Sequence, residues 1–240
     1  MTATTERELV VVGAGGFGRE TVEAVRALNA AGAHWRLAGY LDDDPARHET
    51  AIDGVPVLGG VAELGNMPNV SVVVCTGRPS NYASRASIVE ALGLRPDRYA
   101  TIIHPSASVS STSKVGPGSV LLAQTVLTAA VTVGSHVAIM PHVTLTHDDV
   151  VGDFATVASG VCLGGNVDVG RGAYVGAGAL VRETRRIGPG ALVGMGAVVT
   201  RDVPPGEVWA GVPARCIREA AATGAPSGVG ARNSRKVRER

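Results

Sequence analysis

The chain is short of aromatic residues. Two Phe, two Trp and four Tyr amount to 3% of its 240 residues. A core with so few rings must be filled by Val, Ile, Leu and Ala, which suits thin, repetitive β architecture better than a helical bundle. Cysteine is scarce too: Cys75, Cys162 and Cys216 are scattered and odd in number. A disulfide framework is not expected, and a reducing cytoplasm is. Long apolar runs are missing. The opening stretch MTATTERELVVVG has acidic residues where a secretory leader needs a basic start. Its apolar run is too short to span a bilayer, so no membrane partner is expected. Excess charge of one sign is missing as well, since the net charge is +1. Residues 222–240 hold five Lys or Arg against one Glu, or +4, which leaves −3 for the rest. Bulk charge supplies no argument for nucleic acid.

What is present is 45% apolar residues and 32 Gly without a three-residue period, which excludes collagen. The chain divides near residue 103, giving an expected Rossmann-like domain over 1–102, a parallel β-helix over 103–218 and a flexible basic tail over 219–240. In the first part strands and helices alternate. Leu9-Val10-Val11-Val12 is a β run that meets Gly13-Ala14-Gly15-Gly16-Phe17-Gly18, and a helix is expected over 19–31. Further strands are expected over 36–41 and 70–75, and a helix over 84–92. This order implies a small parallel sheet.

From Ile103 every sixth residue is Val, Ile or Leu for seventeen consecutive positions, ending at Val199. At even odds for an apolar residue, such a run arises roughly once in 10⁵–10⁶ trials. The following residue is often Gly, as at Gly116, Gly134, Gly152, Gly170 and Gly188. The residue two places earlier is usually small, as at Ser113, Ser119, Ala155 and Ala173. Three hexads make one triangular coil, the hexapeptide parallel β-helix. The register does not slip between His104 and Pro204. Two residues break the small-residue rule: Asp149 fills an inward slot, and Arg185 occupies another. Arg185 could bulge outward or distort its coil.

Seven stretches, in order, resemble one family: 12–20 (VGAGGFGRE), 39–44 (GYLDDD), 57–60 (VLGG), 103–107 (IHPSA), 146–148 (THD), 164–167 (GGNV) and 211–215 (GVPAR). Together they resemble hexapeptide-repeat acyltransferases with an N-terminal nucleotide-sugar-binding domain, the sialic-acid O-acetyltransferase-like and bacillosamine-pathway N-acetyltransferase-like proteins. The resemblance covers about residues 8–218. It implies a left-handed coil and a homotrimer.

Gly13-x-Gly15-x-x-Gly18 after a strand, with Asp42 24 residues beyond Gly18, also fits a dinucleotide fingerprint. Either way, glycines permit close approach and a helix N-terminus offers free N–H groups to phosphate. A purely structural turn is the remaining reading. The first part supplies only half a dinucleotide fold, which favours a nucleotide-sugar over NAD. The resemblance implies that Gly13, Gly15, Gly16, Phe17, Gly18, Asp42, Asp43, Thr76, Gly77 and Arg78 surround that nucleotide. The family often has His where this chain has Phe17.

Of six histidines, His34 and His48 read as surface, His104 as structural and His136 as packing beneath Phe154. His147 occupies the family's catalytic position and is followed by Asp148. Acetyl transfer to an amine needs a base, because an ammonium cannot attack a thioester. A neutral imidazole can take the proton, and a carboxylate can hold its tautomer. A second family histidine would fall at Thr156. His142 and His147 are also spaced as in β-helical carbonic anhydrases, whose third zinc ligand would fall at Ser106. With that ligand lacking, no metal is expected.

The resemblance implies acetyl-CoA as donor, held between adjacent β-helices. Gly176-Ala177-Gly178 and Gly194-Met195-Gly196 would lie against its pantetheine arm, with Arg201 and Arg215 near its phosphates. Alternatively, the glycines merely obey the hexad rule and the arginines are solvated. The expected activity is acetyl transfer to an amino group of a nucleotide-activated sugar. O-acylation and a non-catalytic nucleotide-binding regulator are the alternatives.

Overall fold

The computed structural model describes residues 7–220; the basic tail lies outside them from residue 221 onward. Strand β1 (Arg7–Val12) leads into helix α1 (Gly16–Ala30), followed by β2 (Trp35–Leu41), β3 (Ala51–Ile52), β4 (Val55–Gly59), β5 (Ser71–Val74) and α2 (Ser84–Leu92). These strands form one sheet in the order β3-β4-β2-β1-β5. The β1, β2, β4 and β5 pairings are parallel, and β3 joins β4 antiparallel. Helix α1 starts at Gly16, three residues before its expected start, so half of the glycine stretch is helical. The β3–β4 hairpin was not expected: Val55 and Val57 point inward, but the run is too short to declare itself.

Seventeen two-residue strands follow, from β6 (Ile102–Ile103) to β22 (Val198–Val199). Each pairs in parallel with the strand 18 residues away, as in Leu127↔Leu145↔Leu163. The strands stack into three faces. The first contains 102–103, 120–121 and onward; the second contains 108–109, 126–127 and onward; the third contains 114–115, 132–133 and onward. From Leu121 to Val199 no inward aliphatic is more than 4% exposed. Ile103, Val109 and Val115 are only partly buried, because no coil lies beneath them. A hairpin of β23 (Glu207–Ala210) and β24 (Arg215–Glu219) closes the other end against the first face.

Two residue rules shape each corner. The glycine after an inward aliphatic sits directly under the next coil: a Cβ at Gly152 would lie 2.7 Å from the Arg171 nitrogen, and one at Gly170 would lie 2.5 Å from that of Pro189. Three residues before each aliphatic from Leu121 to Val199, the backbone turns left-handed. These positions run every six residues from Gly118 to Gly196 and include His136, His142, Asp148, Phe154 and Asn166. Glycine and short polar residues adopt that conformation at least cost.

The α/β domain packs on the first face, and one apolar cluster spans the join. Leu9, Val11, Val22 and Tyr40 cluster with Ile102, Val120 and Leu122.

Candidate active site

Residues 146–149 form the corner between the second and third faces. Asp148 N donates to the Ala129 carbonyl below at 2.9 Å, and Asn166 N donates to the His147 carbonyl from above at 3.0 Å. Thr146 Oγ1 donates to the Leu163 carbonyl at 3.1 Å. Within this braced turn Asp148 takes the left-handed conformation, φ 62°. The His147 and Asp148 side chains meet at the surface, with Nδ1 2.9 Å from Asp148 Oδ2. A carboxylate only accepts, so Nδ1 carries the proton and the Nε2 lone pair of the neutral ring is bare. The ring lies over Gly165 in the next coil, where a Cβ would fall 2.4 Å from Nε2. Gly165 therefore gives the imidazole its seat. In the sequence that glycine carries no signal beyond the GGNV stretch.

Beneath the pair lies Asp149, fully buried. Its two oxygens accept from Thr146 N at 2.7 Å and Val167 N at 2.8 Å. Burial pushes its carboxyl up to about 6, while those two bonds and His147 pull partly back.

The glycine stretch divides into two kinds of residue. Gly13, φ 99°, faces the Cys75 carbonyl at 2.8 Å from its would-be Cβ, and Gly18 faces the Gly13 carbonyl at 2.0 Å. Both are required by packing. Gly15 and Gly16 have open space above them. Helix α1 has no capping side chain and no acidic residue in its first turn. Its leading N–H groups therefore have no capping side-chain acceptor. Asp42 braces this loop: Oδ2 accepts from Ala14 N at 2.8 Å and meets Arg47 at 3.3 Å, and Oδ1 accepts from Asp44 N at 3.0 Å. Asp43 Oδ1 accepts from Val61 N at 2.8 Å. Both carboxylates thus brace the loops beside the glycine stretch. His48, expected at the surface, binds the Asp42 carbonyl through Nε2 at 2.7 Å. Thr76 and Gly77 lie beside the loop half-buried, and Arg78 is exposed.

A residue without any signal in the sequence ties this loop region to the β-helix. Arg85 on α2 is 1% exposed. Its guanidinium donates to the carbonyls of Thr76 (2.7 Å), His136 (2.7 Å), Phe154 and Ala155 (both 3.0 Å), and to Thr156 Oγ1 (2.8 Å). Burial lowers its pKa to about 10. Its guanidinium carbon lies over the Phe17 ring, 6.0 Å from the ring centre. Thr156, where the family places a second histidine, is buried under this guanidinium. His136 stacks on Phe154 at 5.1 Å, the packing role expected of it.

Gly176-Ala177-Gly178 and Gly194-Met195-Gly196 lie at the corner between the first and second faces. Gly176 and Gly194 each sit under chain from the next turn, so packing alone accounts for them. Gly178 and Gly196 take φ 67° and 65° in open space, and Met195 is 80% exposed. Arg201 and Arg215 are exposed. Arg185 points outward: its carbonyl keeps the ladder bond from Asp168 N, and its guanidinium meets Asp202 at 3.3 Å. His142 lies at the opposite edge of the second face from His147. Among the described residues no three His, Cys, Asp or Glu side chains gather around a metal-sized site.

The coil architecture is that of the hexapeptide β-helix class, and the His147–Asp148 corner is its candidate active site. Residues 8–92 match the model of the PglD N-terminal domain. UDP-N-acetylbacillosamine N-acetyltransferase of Bacillus subtilis is 35% identical over 121 residues, 49% of this chain and 52% of that protein, so the match spans about half the curated relative. The acetyltransferase domain of PglB from Neisseria gonorrhoeae, solved with acetyl coenzyme A, is 30% identical at a TM-score of 0.77, covering 89% of this chain and 100% of that one. PerB from Caulobacter crescentus, solved with CoA and GDP-perosamine, is 28% identical at 0.77, covering 89% and 98%. A histidine-to-alanine mutant of GDP-perosamine N-acetyl transferase from that organism is also solved with CoA and GDP-perosamine. The chain belongs to this family, in which a PglD-type domain precedes an acetyltransferase β-helix.

Proposed function

We propose that this protein transfers the acetyl group of acetyl-CoA to an amino group of a nucleotide-activated sugar. The observation that carries the reading is the His147–Asp148 pair, seated on Gly165 with Nε2 bare. In the proposed step Nε2 takes a proton from the sugar amine as its nitrogen attacks the thioester carbon. The new C–N bond replaces the C–S bond, and the departing thiolate takes up a proton to leave as CoA. Asp148 holds the ring and offsets the imidazolium charge. The uncapped N-terminus of α1, with Gly15 and Gly16 open above it, suits the nucleotide diphosphate.

The acceptor class follows the relatives crystallised with GDP-perosamine or named for a UDP-sugar. We further propose a homotrimer, with CoA between neighbouring chains. Outward residues of the second face are uncharged: Ser108, Val126, Thr144, Cys162, Leu180 and Val198. The third face presents Lys114, Asp168 and Arg186, as a solvated face should. The His147 corner and the glycine corner flank the uncharged face, so a neighbour docking there brings the two kinds of corner together. A reducing cytoplasm suits three unpaired cysteines, two of them exposed.

UDP- and GDP-linked amino sugars, each with acetyl-CoA and assayed by thiol release, test the activity. We expect one to yield an alkali-stable amide, and His147→Ala to lower turnover about 10²–10⁴-fold with both substrates still bound by calorimetry. Near-normal turnover in that variant overturns the mechanism, and an alkali-labile ester moves the reading to O-acylation. An active monomer by light scattering overturns the trimer.

A further inference from the structure

The inward slot two residues before each aliphatic has neutral solutions elsewhere in the β-helix. Ser113 Oγ accepts from Val131 N at 3.1 Å, and Ser119 Oγ accepts from Val137 N at 2.9 Å, each bonding the backbone one coil on. In the column that holds Asp149, the coils immediately below and above use Val131 and Val167, both buried. A charged residue is therefore unnecessary for stacking. Asp149 makes the same bond to the next coil that serine makes. What it adds is a second bond back to Thr146 N, which closes the turn bearing His147, and a buried negative charge.

Resting on the base assignment above, we propose that Asp149 is a positioning residue for acetyl transfer: its carboxylate fixes the His147 corner and favours the imidazolium that forms as the amine gives up its proton. The ionisable groups around it are His147 and Asp148 on its own corner; the corners below (128–131) and above (164–167) carry none. The two acids divide the work. Asp148 orients the ring from the surface, where water screens its charge, and Asp149 acts from inside, where screening is weak. Its carboxyl, pushed up to about 6, is charged at neutral pH and loses that charge below it.

Asp149→Ser keeps the coil-to-coil bond and removes the charge. Asp149→Val copies the residue used in the coils on either side. For the full chain with acetyl-CoA and its amino-sugar acceptor, we expect both variants to keep their circular dichroism spectrum and acetyl-CoA KM. Turnover should fall roughly tenfold, and the acid limb of log kcat against pH should shift down by about half a unit, because an imidazolium without a neighbouring anion releases its proton more readily. The limb should also become shallower, since one ionisation is gone. Unchanged turnover with an unchanged limb in folded Asp149→Ser overturns the proposal. So does loss of fold in both variants, which makes the slot structural. A near-normal His147→Ala removes the base assignment itself, a separate failure.

Discussion

The α/β domain and the β-helix bury similar aliphatic residues in opposite ways. In the β-helix each inward residue, outside the end coils, stacks on its counterparts one coil up and one coil down. A local period of six is enough to specify it. In the α/β domain the sheet order β3-β4-β2-β1-β5 brings together strands far apart in sequence, and no period announces the arrangement. The comparison carries over to function. The proposed base sits on the repetitive domain, on a rigid corner braced from both sides. The proposed nucleotide pocket sits on loops of the α/β domain, where φ can vary and backbone N–H groups are left free. Each domain supplies what its architecture can hold.

The largest expected effect comes from breaking the join between the two. Arg85→Met removes four hydrogen bonds donated across it, and a fifth to Thr76 on its own side, and strands buried carbonyls. We expect a loss of about 3–5 kcal/mol. Calorimetry should resolve one unfolding transition into two, with the α/β domain melting first. A single transition at the wild-type temperature would make the join a bystander.

A smaller effect should follow from acid. His136 is buried at the same join, and its pKa is lowered to about 4, by burial first and then by Arg85. In the unfolded chain an imidazole takes its proton near pH 6.5. The stability tied to the neutral ring is therefore complete above about 6.5 and lost as pH falls toward 4, amounting to roughly 2–3 kcal/mol. Thermal midpoints across that window should fall in the wild type and fall less in His136→Phe. Equal slopes would remove His136 from the join's acid sensitivity.

The smallest effect separates the pockets. Gly15 has an extended backbone and open space above it, so Gly15→Val should fold normally. We expect the nucleotide-sugar KM to rise about tenfold, some 1.4 kcal/mol, with acetyl-CoA KM unchanged. Equal loss toward both substrates would mean that the glycine loop does not hold the acceptor.

Much of this was legible before the structure. The hexad located every β-helix strand to the residue, and the helix over 84–92 matches α2. Asp149 stood out because it broke the small-residue rule. The terminal hairpin of β23 and β24 was not legible, because the hexad ends before it and four- or five-residue strands carry little pattern. The left-handed corner position was hidden by its variety: Gln, Ala, His, Asp, Phe, Asn and Thr all occupy it alongside Gly. Asp42 and Asp43 were expected to meet the nucleotide. Their carboxylate oxygens accept N–H groups of the loops beside the glycine stretch, a bracing that residue type alone does not announce.

By itself the sequence determined the β-helix, its register and the adjacency of His147 and Asp148, because each is a matter of neighbours along the chain or of a short, exact repeat. Only the tertiary structure decided how Arg85 joins two domains, why Gly165 must lack a side chain and which face of the β-helix remains uncovered. Arg85 reaches Thr156 across 71 residues. Gly165 meets His147 only because coils stack 18 residues apart. Contacts of that kind depend on where distant backbone comes to rest, and nothing in the local order of residues encodes it.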